Sequence, residues 1–299
     1  MNDPFSMKRW TGRSLLSLVL VVLVALSATG WFEGSAEAIG IEPLSGSNQA
    51  YLDYALKKTL ATFALLSAVK VGLAIIEGTE IGVGFGIEIG DAVQSAYDFV
   101  DLAWRVVLTS AAILMGTRFL LQAAGLVDHW LFALTLLLLL IWLWTHWLNS
   151  RRHTFRRIVQ DLTLVTVILT LTLYLVLPLS ISGGRLLSSR ITRPSIEEAE
   201  RGVTQFKSDI FPDGDENQSG FWSKFGDPQA RLKAIVKTIS QKTTEFSLWI
   251  LKIIAGYLFD SLIFPLMLFL TGVWLTKSAM RYFVNLNRDA LLFHQQGRN

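Results

Sequence analysis

The apolar stretch that says most about the chain runs from Leu131 to Leu148, LFALTLLLLLIWLWTHWL, with His146 as its one ionisable side chain. At a rise of about 1.5 Å per residue it is long enough to cross a hydrocarbon core about 30 Å thick. A basic cluster follows at once over 149–157, with Arg151, Arg152, Arg156 and Arg157. Lys and Arg beside a span are retained on the cytoplasmic side, so this loop is expected inside. Two more runs have the same character: Ile158 to Ile181, ended by Pro178 and Gly183-Gly184, and Ile250 to about Thr276. At the N-terminus Lys8, Arg9 and Arg13 precede the run Leu15 to Trp31, and Ala36-Glu37-Ala38 follows. Residues 1–38 thus fit a cleaved signal peptide or an uncleaved signal anchor, and both put residue 39 outside the cytoplasm.

The segment 39–130 carries two weaker helical patterns, about Gln49 to Ile76 and Ala92 to Leu126, joined by Glu80 to Gly90, where apolar residues alternate with Gly. Period-two Gly predicts a short extended segment. Asp91-Ala-Val-Gln94 has the form of a capping box and marks the expected start of the second helix. The connector carries Glu77, Glu80, Glu88, Asp91, Asp98 and Asp101 and no Lys or Arg, and Lys70 and Arg118 would sit inside lipid if both helices crossed. A mid-depth charge costs about 2.5–3.5 kcal/mol on insertion scales. Four spans are therefore favoured, with 49–126 an external or re-entrant hairpin; six spans is the alternative.

Beyond the transmembrane hairpin 131–181, residues 182–246 read as an external antiparallel helical hairpin. A second capping box, Ser195-Ile-Glu-Glu198, leads a helix whose apolar positions Ile196, Ala199, Val203, Phe206 and Ile210 step by three and four. The returning helix carries Leu232, Val236, Ile239, Thr243, Phe246, Ile250, Ile253 and Tyr257, a heptad-like seam that continues into the last span, 247–283, ahead of a tail at 284–299 with Arg288. These stripes serve either burial within the hairpin and against 49–126, or association with a partner. The candidate interaction seam is Leu232, Val236, Ile239, Phe246, Ile196, Val203 and Phe206.

Composition agrees with a membrane class: 52% of the residues are hydrophobic and 17% charged, against about 25% charged in an average soluble chain. Net charge is only +3 and the basic residues flank apolar runs, which gives nucleic-acid binding no support. With no Cys, thiolate metal sites, disulfides and Cys nucleophiles are excluded. The four His are scattered, the Gly run lacks phosphate-loop spacing, and Asp213, Asp215, Asn217 and Ser219 lack the Gly and Glu that complete a calcium loop. No metal, cofactor or catalytic pair is expected.

The polar residues that remain are intramembrane ones. Asp260 lies well inside the last apolar run between Gly256 and Pro265, where a helix irregularity is expected, with Lys252 two turns before it; it either handles ions or protons or is a structural group paired or hydrogen-bonded with Arg118 or a Thr. Thr163, Thr166 and Thr170 form a stripe on the 158–181 span that either borders a water path or packs helix on helix. The sequence thus predicts an all-α polytopic membrane protein, in contact with lipid and with a second copy or another membrane or external protein. Its expected role is a non-enzymatic assembly component; the alternative is a channel or small-solute transporter using Asp260 and the Thr stripe. Its expected place is the plasma (bacterial inner) membrane, with both termini cytoplasmic if 1–38 is retained.

Overall fold

The computed structural model describes residues 17–27, 42–77, 86–147, 153–211 and 228–296, with side chains over 17–27, 46–76, 93–127, 130–145, 154–211, 235 and 237–282. Apart from Phe211 every described residue is helical. The elements are α1 Ser17–Ser27, α2 Glu42–Glu77, α3 Gly86–Trp147, α4 His153–Leu171, α5 Leu177–Leu187, α6 Arg193–Ile210, α7 Pro228–Leu258 and α8 Phe264–Gln296. Three π turns join them, π1 Thr172–Val176, π2 Ser188–Thr192 and π3 Phe259–Ile263. The backbone is therefore helical without interruption from His153 to Ile210 and from Pro228 to Gln296. Among the described residues four stretches are long and apolar enough to cross a membrane: Gly46–Ile76, Val93–Val127, Thr154–Ile210 and Lys237–Tyr282. The runs expected at 158–181 and 250–276 lie inside the last two, and Trp130–Thr145 and Ser17–Ser27 are shorter apolar helices. The 49–76 and 92–126 helices also have the length and apolarity to span.

Several expected boundaries differ. The Gly-rich connector is not extended over Gly86–Gly90, which begins α3; its remainder, 78–85, lies outside the described residues. Asp91 therefore sits within a helix and not at its start, and 92–126 and 131–147 are one 62-residue helix. Nor does Ser195 start a helix: α6 opens at Arg193 directly from π2, and its N-cap Thr192 is itself helical and makes no side-chain cap bond. A helical residue already has its amide partners in the preceding turn, so a capping box has no orphan donors to satisfy there.

Proline explains where the helices deform. π1, π2 and π3 each end two residues before a proline, Pro178, Pro194 and Pro265. A proline in a helix lacks the N–H, and its ring collides with the carbonyl four residues back. In each case the residue before the proline donates its amide five residues back instead of four: Leu177 to Thr172, Arg193 to Ser188 and Phe264 to Phe259. The widened turn moves the obstructing carbonyl aside while keeping the flanking amides bonded, so the helix passes the proline without ending. Pro43 and Pro228, in the first turns of α2 and α7, need no such accommodation.

The contacts divide the chain into two compact units, one of Met1–Gln49, Arg118–Ser182 and Leu266–Asn299, the other of Ala50–Thr117 and Gly183–Pro265. The division cuts through long helices and groups residues of the expected 49–126 and 182–246 hairpins together. In the first unit Phe132 packs on Tyr174 with centroids 6.1 Å apart, and Gly272 is small because a Cβ there would overlap the Val176 side chain. Buried Asn48 donates to the Pro178 carbonyl at 2.9 Å and accepts from Ser182 at 2.8 Å.

In the second unit, Leu66, Val69 and Leu73 of α2, Val100 and Val107 of α3, Val203 and Phe206 of α6, and Ile239, Phe246 and Ile250 of α7 close one core. Each is spaced from the next by three, four or seven on its helix, so each helix contributes one stripe. Phe206 and Phe246, both essentially inaccessible, stack with centroids 4.1 Å apart. Gly202 leaves room for the Trp249 indole, and Gly256 for Ile196. Phe246→Ala is expected to cost about 3–5 kcal/mol, read as a lower denaturation midpoint of the purified protein. The Phe206→Ala/Phe246→Ala double variant should fall short of the sum of the singles by about 0.5–1.5 kcal/mol, the worth of the ring pair. Additive effects would mean the rings do not meet.

Candidate functional site: polar side chains at two π turns

Asp260 occupies the second position of π3 and faces π2. Ser188, the first residue of π2, donates its hydroxyl to one carboxylate oxygen at 2.7 Å, and Thr192, the last, donates to the other. Ser188 and Thr192 are both buried. A carboxylate taken out of water is costly unless its lone pairs are met, and these two hydroxyls meet one oxygen each. The expected helix irregularity at Asp260 is thus π3, while its expected cationic neighbour is a different residue.

Beside the carboxylate is a cavity of about 40 Å³ lined by Tyr51, Tyr54, Lys58 and Thr59 of α2, Ser188 and Arg193, and Tyr257, Asp260 and Ser261. With about 10–15 Å³ needed per water on this measure, it has room for about three waters and for no organic solute. Two cations line it. Arg193 lies over the Tyr54 ring at 5.0 Å, and Lys58 is paired with Glu197 at 3.2 Å and with Glu200 at 3.7 Å. One carboxylate facing two positive side chains is a poor trap for a further cation.

A second polar cluster lies next to the first. The Tyr257 hydroxyl donates to Glu200 at 3.0 Å and meets the Thr62 hydroxyl at 2.6 Å, and Thr62 also donates to Glu200 at 2.6 Å. Ser261 donates to the Tyr257 carbonyl at 2.7 Å and to Ser110 at 3.0 Å. The pair of clusters draws on four described helical segments of the second unit. Its carboxylates are engaged by hydroxyls and Lys58. Among the described residues no group of three or more His, Cys, Asp or Glu is placed to hold a metal ion.

The other sequence candidates fall elsewhere. Lys252 pairs with Glu198 at 2.9 Å and not with Asp260, and Arg118 belongs to the first unit. Lys70, counted as a burden on a spanning α2, is bonded to Asp101 at 2.6 Å and lies 4.6 Å over Trp104, which offsets much of that cost. Thr163, Thr166 and Thr170 are buried in the first unit, and each returns its hydroxyl to the carbonyl four residues back, at 2.7, 2.9 and 2.9 Å. Thr170 also meets Thr135 at 2.7 Å, and Thr163 reaches the Leu138 carbonyl at 3.3 Å. That is helix-to-helix packing within the first unit, whereas Asp260 belongs to the second.

The candidate seam is likewise occupied from within. Ile196, Val203, Phe206, Ile239 and Phe246 are all buried in the second unit's core. Of the two uses open to these stripes the fold takes the intramolecular one. The side chains of Leu232 and Val236, the four His and the loop holding Asp213 to Ser219 lie outside the described residues. Sequence reasoning passed over Ser188, Thr192, Arg193, Glu200, Thr62 and the hydroxyl of Tyr257. Ser188 and Thr192 did carry a signal: two hydroxyls one turn apart, just ahead of a proline.

Tyr257→Phe removes a hydroxyl bonded to a charged acceptor and is expected to cost about 1.5–3 kcal/mol, whereas Lys252→Ala breaks a partly exposed pair and should cost no more than about 1 kcal/mol. Denaturant midpoints of the two variants against the parent check the order, and a reversed order would place the important polar contacts at the surface. The chain matches no protein-family model, no curated protein and no solved structure, so its function has to be argued from these residues.

Proposed function

We propose that this chain is a non-enzymatic integral membrane protein whose second unit stands largely in water and serves as an assembly module, docking a partner or a second copy on the outer face of α2. The contrast between two outer faces carries the reading. α6 exposes Glu197, Glu198, Arg201, Thr204, Gln205, Ser208 and Asp209, whereas α2, polar at exposed Gln49, Tyr54 and Lys57, exposes only apolar side chains from there on: Leu60, Ala61, Ala64, Val71 and Ala74. A polar face so complete belongs in water, and an apolar one on the same water-standing module is an interaction surface. Association through α2 replaces association through the 232–246 seam, whose described members are used internally.

Helix length supports the same view. The 62 residues of α3 extend about 93 Å at 1.5 Å per residue, about three times the hydrocarbon thickness, so much of the helix projects beyond any membrane it crosses. The basic loop 149–157 argues for a cytoplasmic position, which puts the second unit on the outer side of a plasma (bacterial inner) membrane with both termini inside. Inter-helix pairs such as Lys242–Asp209 at 2.6 Å and Lys252–Glu198 at 2.9 Å, each part exposed, suit that aqueous side better than lipid.

The Cys-free chain offers a clean test in native membranes with Ala64→Cys on α2 and Thr204→Cys on α6. Ala64→Cys is expected to cross-link to a second copy or a partner and to resist an impermeant thiol reagent, while Thr204→Cys labels freely and stays uncrosslinked. Free labelling of both would leave the α2 face bare and end the assembly reading. Protection of Ala64→Cys from impermeant reagent without any cross-link would put α2 in lipid, giving six spans.

The second reading, a channel or small-solute transporter, draws on the small polar cavity at Asp260. Its expected signature is a fall of about tenfold or more in ion flux through liposomes for Asp260→Asn, the size of effect that loss of an intramembrane charge produces in a conducting path. Unchanged flux would exclude it.

A further inference from the structure

We propose that Asp260, Ser188 and Thr192 form a latch that joins π2 and π3 into a single hinge, so that the two helices open at these turns together. The idea is independent of which function the protein serves. It starts from the three proline-linked π turns. π1 has no carboxylate of its own, whereas π2 and π3 face each other, and the side chains linking them belong to the π turns themselves: the first and last residues of one, the second residue of the other.

A π turn holds its extra residue at the expense of regular bonding, and it is where a helix most readily changes register or bends. Left alone, each turn would relax by itself. Here relaxation of either one moves an atom of the latch. If π3 bends or shifts its register, the helix downstream of Phe259 rotates and carries the Asp260 carboxylate away from both hydroxyls. If π2 does so, Ser188 and Thr192, at its opposite ends, can no longer address the two oxygens of one carboxylate. The Thr192 hydroxyl, whose one proton goes to Asp260, also lies 3.2 Å from the Ser188 carbonyl, the carbonyl that accepts the Arg193 amide across the π turn. The side chain that grips Asp260 is therefore seated against the widened turn.

What makes opening feasible is the adjoining cavity. Ser188 and Asp260 both line it, so a carboxylate leaving the hydroxyls meets space for about three waters instead of apolar wall. Arg193 and Lys58, which line the same cavity, keep the charge compensated while the hydroxyls are lost. Gly184 and Pro265 add to the ease of movement: a Cβ at Gly184 would stand 3.5 Å from the Pro265 ring, so no side chain at that position locks the helices side by side.

Amide hydrogen exchange of the whole protein in nanodiscs, followed by mass spectrometry, tests this because a change on one helix can be read on the other. The Ser188→Ala/Thr192→Val variant is expected to speed exchange of the amides over 259–264 by about tenfold or more, the fold-change that loss of hydrogen bonds to a charged group gives. Asp260→Asn should do the same over 188–193. Exchange over 239–246 should stay at the parent rate, which shows the bundle intact. If the hydroxyl variant speeds only its own segment and leaves 259–264 unchanged, the two turns are independent and the latch is refuted. If Asp260→Asn instead loosens 239–246 as well, it has disrupted the bundle, and the hydroxyl variant, which removes no charge, decides the matter.

Discussion

Keeping every backbone amide and carbonyl of a long apolar helix bonded, even where the sequence places a proline, is the constraint on which this molecule rests. Where a helix faces solvent, water can satisfy the groups that a proline frees. Between packed helices the freed groups have no such partner, and a break costs more than a deformation. A π turn before each proline keeps the helix going. Two stretches that read as several elements therefore become continuous helices.

Continuity brings its own demands. A helix that runs from an apolar setting into a polar one must change the character of its faces without changing its path. α7 and α8 do so: exposed positions are polar at Lys237, Ser240, Gln241 and Glu245, then apolar at Leu248, Leu251, Phe259, Leu262 and beyond, while the buried stripe from Ile239 to Phe264 stays apolar but for Ser261 and the Tyr257 hydroxyl. Core and surface are thus specified independently. The core fixes which helices pair, through contacts such as Phe206 on Phe246, and the surface fixes what surrounds them.

That separation explains what could be read from the sequence. Helix type, the buried stripes of α6 and α7 and the irregularity near Asp260 were all legible, because three-four periodicity and a proline five residues on are local signals. Continuity through Pro194 was not legible, because Pro194 followed by Ser195-Ile-Glu-Glu198 is also what a helix start looks like. Only the burial of Ser188 and Thr192 against another helix distinguishes the two. A hydrogen bond from a Thr to Asp260 was among the expectations, but which Thr was not legible, and the nearest cation along the helix, Lys252, points to Glu198. Two hydroxyls brought from a helix about 70 residues earlier in the chain carry no sequence signature linking them to Asp260.

Why a carboxylate should sit there at all is the remaining physical question. An apolar residue at 260 would pack against the second unit at no desolvation cost, and buried charge is in general a poor way to gain stability. Its advantage lies in discrimination. An apolar contact tolerates a turn's rotation, because one methyl group replaces another, whereas a carboxylate held by two hydroxyls loses both bonds when the register changes by one residue. With three prolines requiring widened turns and each turn open to alternative registers, a contact that punishes the wrong register is worth more than one that merely adds stability. The same sensitivity would make the proposed hinge either closed or open, since a rotated carboxylate loses both hydroxyls together and turns to the adjoining cavity instead.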